Sequence, residues 1–326
     1  MILLIYLSSL ILFSSCIHHA SEIIEQDPKY FYPRVDFLQN IEPRGNHILF
    51  GTNPSYSLLS GITTSTRSLP IYFSYSFNLS ELRSNWYLPI QDFLATKNHY
   101  FLLQIDIHIL RPRGQCYAQA ISDGLLNEQL DGLGFGLRQI RRPTILRFAP
   151  EFNTERSDCG PQKYKDAWNR LGQVIRYRWN LSQVALAWTV DGAGHDNIME
   201  YFPGDEYIDW WSLEIHTPKE LRNNTVATVM HLAAENGYPI LLGASTPLST
   251  VPKTSEQLWS MWFNPLFSFL KKQPLIKAFT YKNWHELETS GDPIVAERFH
   301  LELSDPIYQL SGEYEALEWI LDLKDR

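Results

Sequence analysis

Tyr100-Phe101-Leu102-Leu103-Gln104-Ile105-Asp106-Ile107-His108-Ile109 is the stretch from which the fold can be read. From Gln104 onward polar and apolar residues alternate strictly. Successive side chains of a β-strand point to opposite faces, so this is a strand with Gln104, Asp106 and His108 on one side and three isoleucines on the other. Most exposed sheets place polar residues toward water. A strand inside a closed barrel instead has an apolar face against helices, which leaves its polar face to the lumen, with His108 nearest the C-terminal rim. Buried polar groups are costly unless hydrogen-bonded. A polar lumen therefore marks either a site or a satisfied internal network.

Seven further β-rich runs flank this one: His47–Thr52, Leu69–Phe77, Pro143–Pro150, Gln183–Asp191, Ile208–His216, Tyr238–Ser245 and Leu275–Trp284. They recur roughly every 25–40 residues, the length of a strand plus a crossover helix. Helices are predicted between them over Ser80–Thr96, Tyr164–Trp179 and Gln257–Lys272. The second carries Trp168, Leu171, Val174 and Ile175 at the spacing of one helix face. Eight strands alternating with helices predict an α/β chain folded as a single (β/α)8 TIM barrel, a fold that 326 residues accommodate with elaborated loops. No internal repeat or linker divides it. The expected organisation is a signal peptide over residues 1–20, a lead-in over 21–45 and the barrel over 46–326.

Composition narrows the function. Hydrophobic residues at 44% suffice for a large core, and a net charge of −8 offers no basic face for nucleic acid. Much of the aromatic content, ten tryptophans and 17 tyrosines included, is expected in the core, and part can line a cleft, because sugars bury their flat C–H faces on aromatic rings. The apolar run Met1–Ser15 is too short to span a bilayer and reads as a signal-peptide core. Export, a secreted or extracellular location and a monomer are expected, without a transmembrane segment. Lipidation of Cys16 and a buried N-terminal element are the alternatives. If Cys16 is removed or lipidated, Cys116 and Cys159 remain to form one disulfide or two buried thiols. The sequons at Asn78, Asn180 and Asn223 are compatible with export. No glycine-rich phosphate loop and no Cys/His zinc spacing occur, so no cofactor and no metal are expected.

Catalytic groups of such barrels lie at the C-terminal ends of strands. Those ends carry Arg147 and Glu151-Phe152-Asn153 after the fourth run, Trp188 and Asp191 on the fifth, and Glu214 and His216 on the sixth. The seventh carries Gly243-Ala244-Ser245, and the eighth ends at Trp284. Hydrolysis of a glycosidic bond uses two carboxyl groups, ~5–5.5 Å apart for retention and ~6.5–9.5 Å apart for inversion. Glu151 is placed to be the acid. The seventh strand offers no carboxylate.

At these residues the chain resembles glycoside hydrolase family 26, the β-mannanases and related β-glycanases. The resemblance runs from about Gly45 to the C-terminus. It rests on Leu146-Arg147…Glu151-Phe152-Asn153, Val184-Ala185-Leu186-Ala187-Trp188, Tyr201-Phe202-Pro203-Gly204-Asp205-Glu206-Tyr207-Ile208-Asp209-Trp210 and Ile276-Lys277-Ala278-Phe279…Asn283-Trp284. It implies that Glu151 is the general acid/base and that Pro239–Pro247 is the nucleophile strand, with Ala244 where the family has its nucleophilic Glu. Pro150 also stands where relatives often carry His or Tyr. Loss of a nucleophile costs on the order of 10⁴–10⁶ in rate.

The resulting expectation is a secreted protein that binds a β-linked polysaccharide or oligosaccharide and hydrolyses it poorly. Asp106, His108, Arg147, Asn153, Trp188, Asp191, Glu214, His216 and Trp284 are the candidate sugar contacts. Two other readings compete with it. One is an active endo-β-glycanase that uses Glu214 or Asp191 as its second carboxylate. The other is a barrel reused as a protein-interaction scaffold.

Overall fold

Each of the eight runs forms a parallel strand: β1 (Ile48–Thr52), β2 (Tyr72–Asn78), β3 (Leu102–His108), β4 (Thr144–Phe148), β5 (Val184–Asp191), β6 (Trp210–Ile215), β7 (Ile240–Ala244) and β8 (Ile276–Tyr281). Neighbours in sequence are neighbours in the sheet, and β1 pairs with both β8 and β2, which closes the barrel. A short ninth strand, β9 (Tyr308–Gln309), pairs with the N-terminal half of β1. The computed structural model describes residues 42–43, 45–53, 70–82, 84–95, 102–109, 117–150, 152–154, 160–244, 254–282 and 292–309.

Helices cover the outside: α1 (Leu88–Ala95), α2 (Tyr117–Ser122), α3 (Asn127–Ile140), α4 (Pro161–Gln173), α5 (Asn224–Asn236), α6 (Ser255–Leu258), α7 (Asn264–Lys272) and α8 (Pro293–Leu303). None of the described helices is long and apolar enough to cross a membrane. Prolines explain two departures of the helices from expectation; in the third, the helix predicted over Tyr164–Trp179 is α4 followed by a π-turn at Val174–Arg178 that contains no proline. The single helix predicted over Ser80–Thr96 is a 3-10 turn, Leu79–Glu81, followed by α1, which begins just before Pro89. A proline is tolerated in a first turn but clashes with the carbonyl four residues back in a helix interior. The cap of that turn is Asn78, whose Oδ1 accepts from Ser80 N at 3.3 Å. Pro265 acts similarly: the predicted Gln257–Lys272 helix breaks into α6, a π-turn at Trp259–Phe263 and α7.

Strand alternation sorts the interior into two spaces. Ile105, Ile107, Leu146, Phe148, Leu186, Trp188, Leu213, Ile215, Leu242 and Ala244 face the helices in one continuous core. Leu49, Tyr72, Leu102, Ile145, Trp210, Leu241 and Ala278 form a second buried cluster, filling the N-terminal part of the lumen. Above this apolar plug the lumen-facing positions turn polar, and there the functional candidates gather.

Candidate functional site

Arg147 forms the floor of the C-terminal mouth. It sits on the lumen side of β4, fully buried, and the β3–β4 register sets Asp106 beside it. Its Nε donates to Asp106 Oδ1 at 2.7 Å and its Nη2 pairs with Asp106 Oδ2, a bidentate clamp. Its Nη1 pairs with Glu214 Oε1 from β6 and reaches Ser212 Oγ at 3.3 Å. The other Glu214 oxygen, Oε2, pairs with Lys282 Nζ at 2.7 Å, at the end of β8. Gln104, Thr280 and Tyr72 support this floor from behind. Gln104 Nε2 donates to Asp106 Oδ1 at 2.9 Å, Thr280 Oγ1 donates to Gln104 Oε1 at 2.6 Å, and Tyr72 OH lies 2.7 Å from Thr280 Oγ1. Gly243 on β7 supplies the space for Glu214, because a Cβ there would lie 2.5 Å from Glu214 Oε1.

The electrostatics follow from burial and pairing together. Glu214 is 3% exposed. Burial pushes its carboxyl up, but Arg147, Lys282 and His216 together outweigh that and hold it at about 2. Burial acts to lower the Arg147 guanidinium, and Asp106 and Glu214 raise it overall. Glu214 and Arg147 are therefore both charged at neutral pH. A floor of this kind is expensive to desolvate and is tolerated because every charge has a partner.

A second group stands on the adjoining rim. Asp191 closes β5, and Asn153 locks its backbone: Nδ2 donates to Asp191 O and Oδ1 accepts from Asp191 N, both at 2.9 Å. Asp191 Oδ1 accepts from Ala193 N at 2.8 Å, and Oδ2 lies 3.7 Å from His216 Nε2. Glu220 accepts from His216 N at 2.6 Å, which fixes the histidine at the end of β6. His216 is raised above the ordinary histidine value, first by its contact with Asp191; burial opposes this, and the charges of Glu214 and Asp191 add to the rise. The chain leaves β4 through Ala149 at φ 48°, a left-handed conformation that costs a residue with a Cβ about 1–2 kcal/mol. That strain lies two residues before Glu151.

The structure brings together Asp106, Arg147 and Glu214 in the floor and Asn153, Asp191 and His216 at the rim. His108 ends β3 on the lumen side, half-buried. Two expectations are corrected. Trp188 is fully buried on the helix-facing side of β5, stacked on Phe152 at 5.2 Å and edge-on to Trp211 at 4.9 Å, so it presents no face to a ligand. Ala244 also faces the helices: it belongs to the outer core, pairs with outward-facing Ile215, and follows the lumen-facing Gly243. Its methyl group does not occupy a vacated place in the cleft wall. Glu151, Trp284, Cys16, Cys116 and Cys159 lie outside the described residues. Reading the ends of runs missed Lys282 and Ser212, though Thr280 and Lys282 share the parity of lumen-facing Ala278 on β8. Among the described residues no group of three His, Cys, Asp or Glu side chains is arranged to hold a metal ion.

No protein-family model matches the chain. Among curated proteins it is 24% identical over 226 residues to a β-1,3-xylanase of a Vibrio species, covering 58% of this chain and 49% of that protein. A β-1,3-xylanase of an Alcaligenes species is 25% identical over 186 residues, covering 51% and 40%. The chain thus spans half or less of the length of these relatives. Among solved structures it is similar to an endo-β-1,4-mannanase double mutant from Cellulomonas fimi, with a TM-score of 0.67 at 15% identity over 88% of this chain and 76% of that one. It is also similar to the catalytic domain of a Bacillus sp. endo-β-1,4-mannanase of glycoside hydrolase family 26, with a TM-score of 0.62 at 14% identity over 87% and 92%. These relatives and neighbours are glycoside hydrolases, and the fold that the solved structures share with this chain is the parallel barrel built above.

Proposed function

We propose that this chain is a secreted barrel that binds a β-linked polysaccharide at its C-terminal mouth and has little or no hydrolytic power. The names of its relatives support a polysaccharide ligand. The observation that carries the loss of turnover is the commitment of the mouth's described carboxylates. Both Asp106 oxygens meet Arg147, both Glu214 oxygens meet cations, and Asp191 meets a backbone N–H and His216. A nucleophile or general base needs a lone pair directed at the sugar or its water. Glu214, held at about 2 beneath Lys282, is an anion at neutral pH with each oxygen ion-paired, one to Arg147 and the other to Lys282. The reading therefore rests on paired charges and not on Ala244.

The test is direct. Purified protein is incubated with β-mannan, β-1,3-xylan, mixed-linkage glucan and laminarin, and reducing ends and binding are both measured. Binding without release of reducing ends is expected. Turnover that disappears in Glu151→Gln overturns the proposal; if it also disappears in Glu214→Gln or Asp191→Asn, that residue is the second carboxylate. Failure to bind any of the four polymers favours a protein-interaction scaffold. Export is tested separately by the N-terminal sequence of the protein recovered outside the cell, expected to begin near residue 21.

A further inference from the structure

The three Asn-x-Ser/Thr sequons, at Asn78, Asn180 and Asn223, have no part in the site described above, and the fold treats them differently. Asn223 is engaged through both ends of its amide. Its Oδ1 accepts from Val226 N at 2.9 Å and caps α5, and its Nδ2 donates to Gly192 O. The hydroxyl of the same sequon, on Thr225, is buried and donates to Asp196. Asn78 is half-buried, and its Oδ1 accepts from Ser80 N at 3.3 Å and from Ser80 Oγ, its own sequon hydroxyl, at 3.0 Å.

Asn180 is exposed, just past the π-turn that follows α4. Among the described residues neither its amide nor the Ser182 hydroxyl makes a hydrogen bond. Leu181 between them is buried, and its N donates to Ile175 O at 3.0 Å, which anchors the loop. The φ of 46° at Asn180 is left-handed, a conformation that asparagine tolerates. The turn accounts for an asparagine there and not for a serine two places on. Position separates the sequons as well. Asn78 ends β2 opposite His108, and Asn223 holds the backbone just past Asp191, so both stand at the mouth. Asn180 precedes the start of β5 at Val184, at the opposite end of the barrel. A bulky glycan there leaves the mouth open.

We propose that Asn180 is the N-glycosylation site of this chain, the sequon whose modification the folded protein accepts. The inference rests on the export reading above, through a pathway that glycosylates. In the transfer, Asn180 Nδ2 bonds to C1 of an oligosaccharide carried on a lipid diphosphate. The C1–O bond breaks, its electron pair leaves with the diphosphate, and Nδ2 gives up one proton. At Asn223 the same reaction places the sugar on the nitrogen that holds Gly192.

The full chain is expressed with its own N-terminus in secreting yeast cells. Protein from the medium and from the cells is weighed by intact mass spectrometry before and after peptide N-glycosidase. One glycan is expected, absent from Asn180→Gln and Ser182→Ala and retained in Asn78→Gln. Ser182→Ala keeps the asparagine that the left-handed turn uses. Exported protein without a glycan, or with one that persists in Ser182→Ala, overturns the site and leaves export standing. Protein that stays in the cell unmodified overturns both.

Discussion

The lumen of this barrel has two floors made by the same strands. In the lower one Leu49, Leu102, Ile145, Trp210, Leu241 and Ala278 fill the space with apolar volume. Two and four residues further along β3 and β6, and two along β4, the side chains are Gln104 and Asp106, Ser212 and Glu214, and Arg147. The backbone geometry does not change between these levels, and only the chemistry does. The lower floor owes its stability to water excluded from hydrocarbon. The upper floor buries charge, holds it by mutual pairing, and presents Lys282 and His216 toward solvent. A stable plug thus carries a costly polar layer, and the expense is concentrated where a ligand would arrive.

The comparison predicts different responses to similar truncations. Arg147→Met should be the most damaging, destabilising by about 5 kcal/mol because it strips buried Asp106 of its cation and leaves Glu214 with Lys282 alone. Adding Asp106→Leu and Glu214→Leu should recover most of that, and urea denaturation of the single and triple variants checks both. Trp210→Ala in the lower floor should cost about 4 kcal/mol, the transfer and cavity cost of a large buried side chain, and the fully apolar surroundings offer no compensating substitution. Equal recovery in both floors would erase the distinction.

Ala244→Glu tests which face β7 turns to the lumen. In the observed register it drives an unpaired carboxylate into the helix-facing core and should destabilise by about 3 kcal/mol without any gain in hydrolysis. A soluble, stable variant that releases reducing ends would mean that position 244 faces the cleft. Gly243→Ala, one residue earlier, should cost about 2 kcal/mol because the new Cβ overlaps the Glu214 carboxylate.

Lys282→Met has the smallest expected effect, about 1 kcal/mol at neutral pH, since Lys282 is 29% exposed and Arg147 still holds Glu214. Its acid limb is more telling. The folded-state value of Glu214 lies below its ordinary 4.5, so the stability it contributes is complete above about 4.5 and is lost as pH falls through about 2. Removing Lys282 takes away one of the groups that depress it, and the acid unfolding midpoint should move to higher pH. An unchanged acid limb would show that Lys282 does not act on Glu214.

Much of this was legible in the chain. Eight β-rich runs at crossover spacing determined the barrel, and the alternation through Gln104, Asp106 and His108 determined that its lumen is polar near the C-terminal end. Proline positions held two of the helix breaks, but the pattern of apolar residues ran across Pro89 and hid them. The partners of each charge were not legible. Arg147, Glu214 and Lys282 lie far apart in sequence and meet only because strand pairing and barrel closure place β4, β6 and β8 around one axis. Nor could the sequence decide which way Ala244 and Trp188 point. The side-chain period of a strand is two, so facing is a matter of parity. It is fixed by the register against the neighbouring strands, and a shift of one residue reverses every side chain.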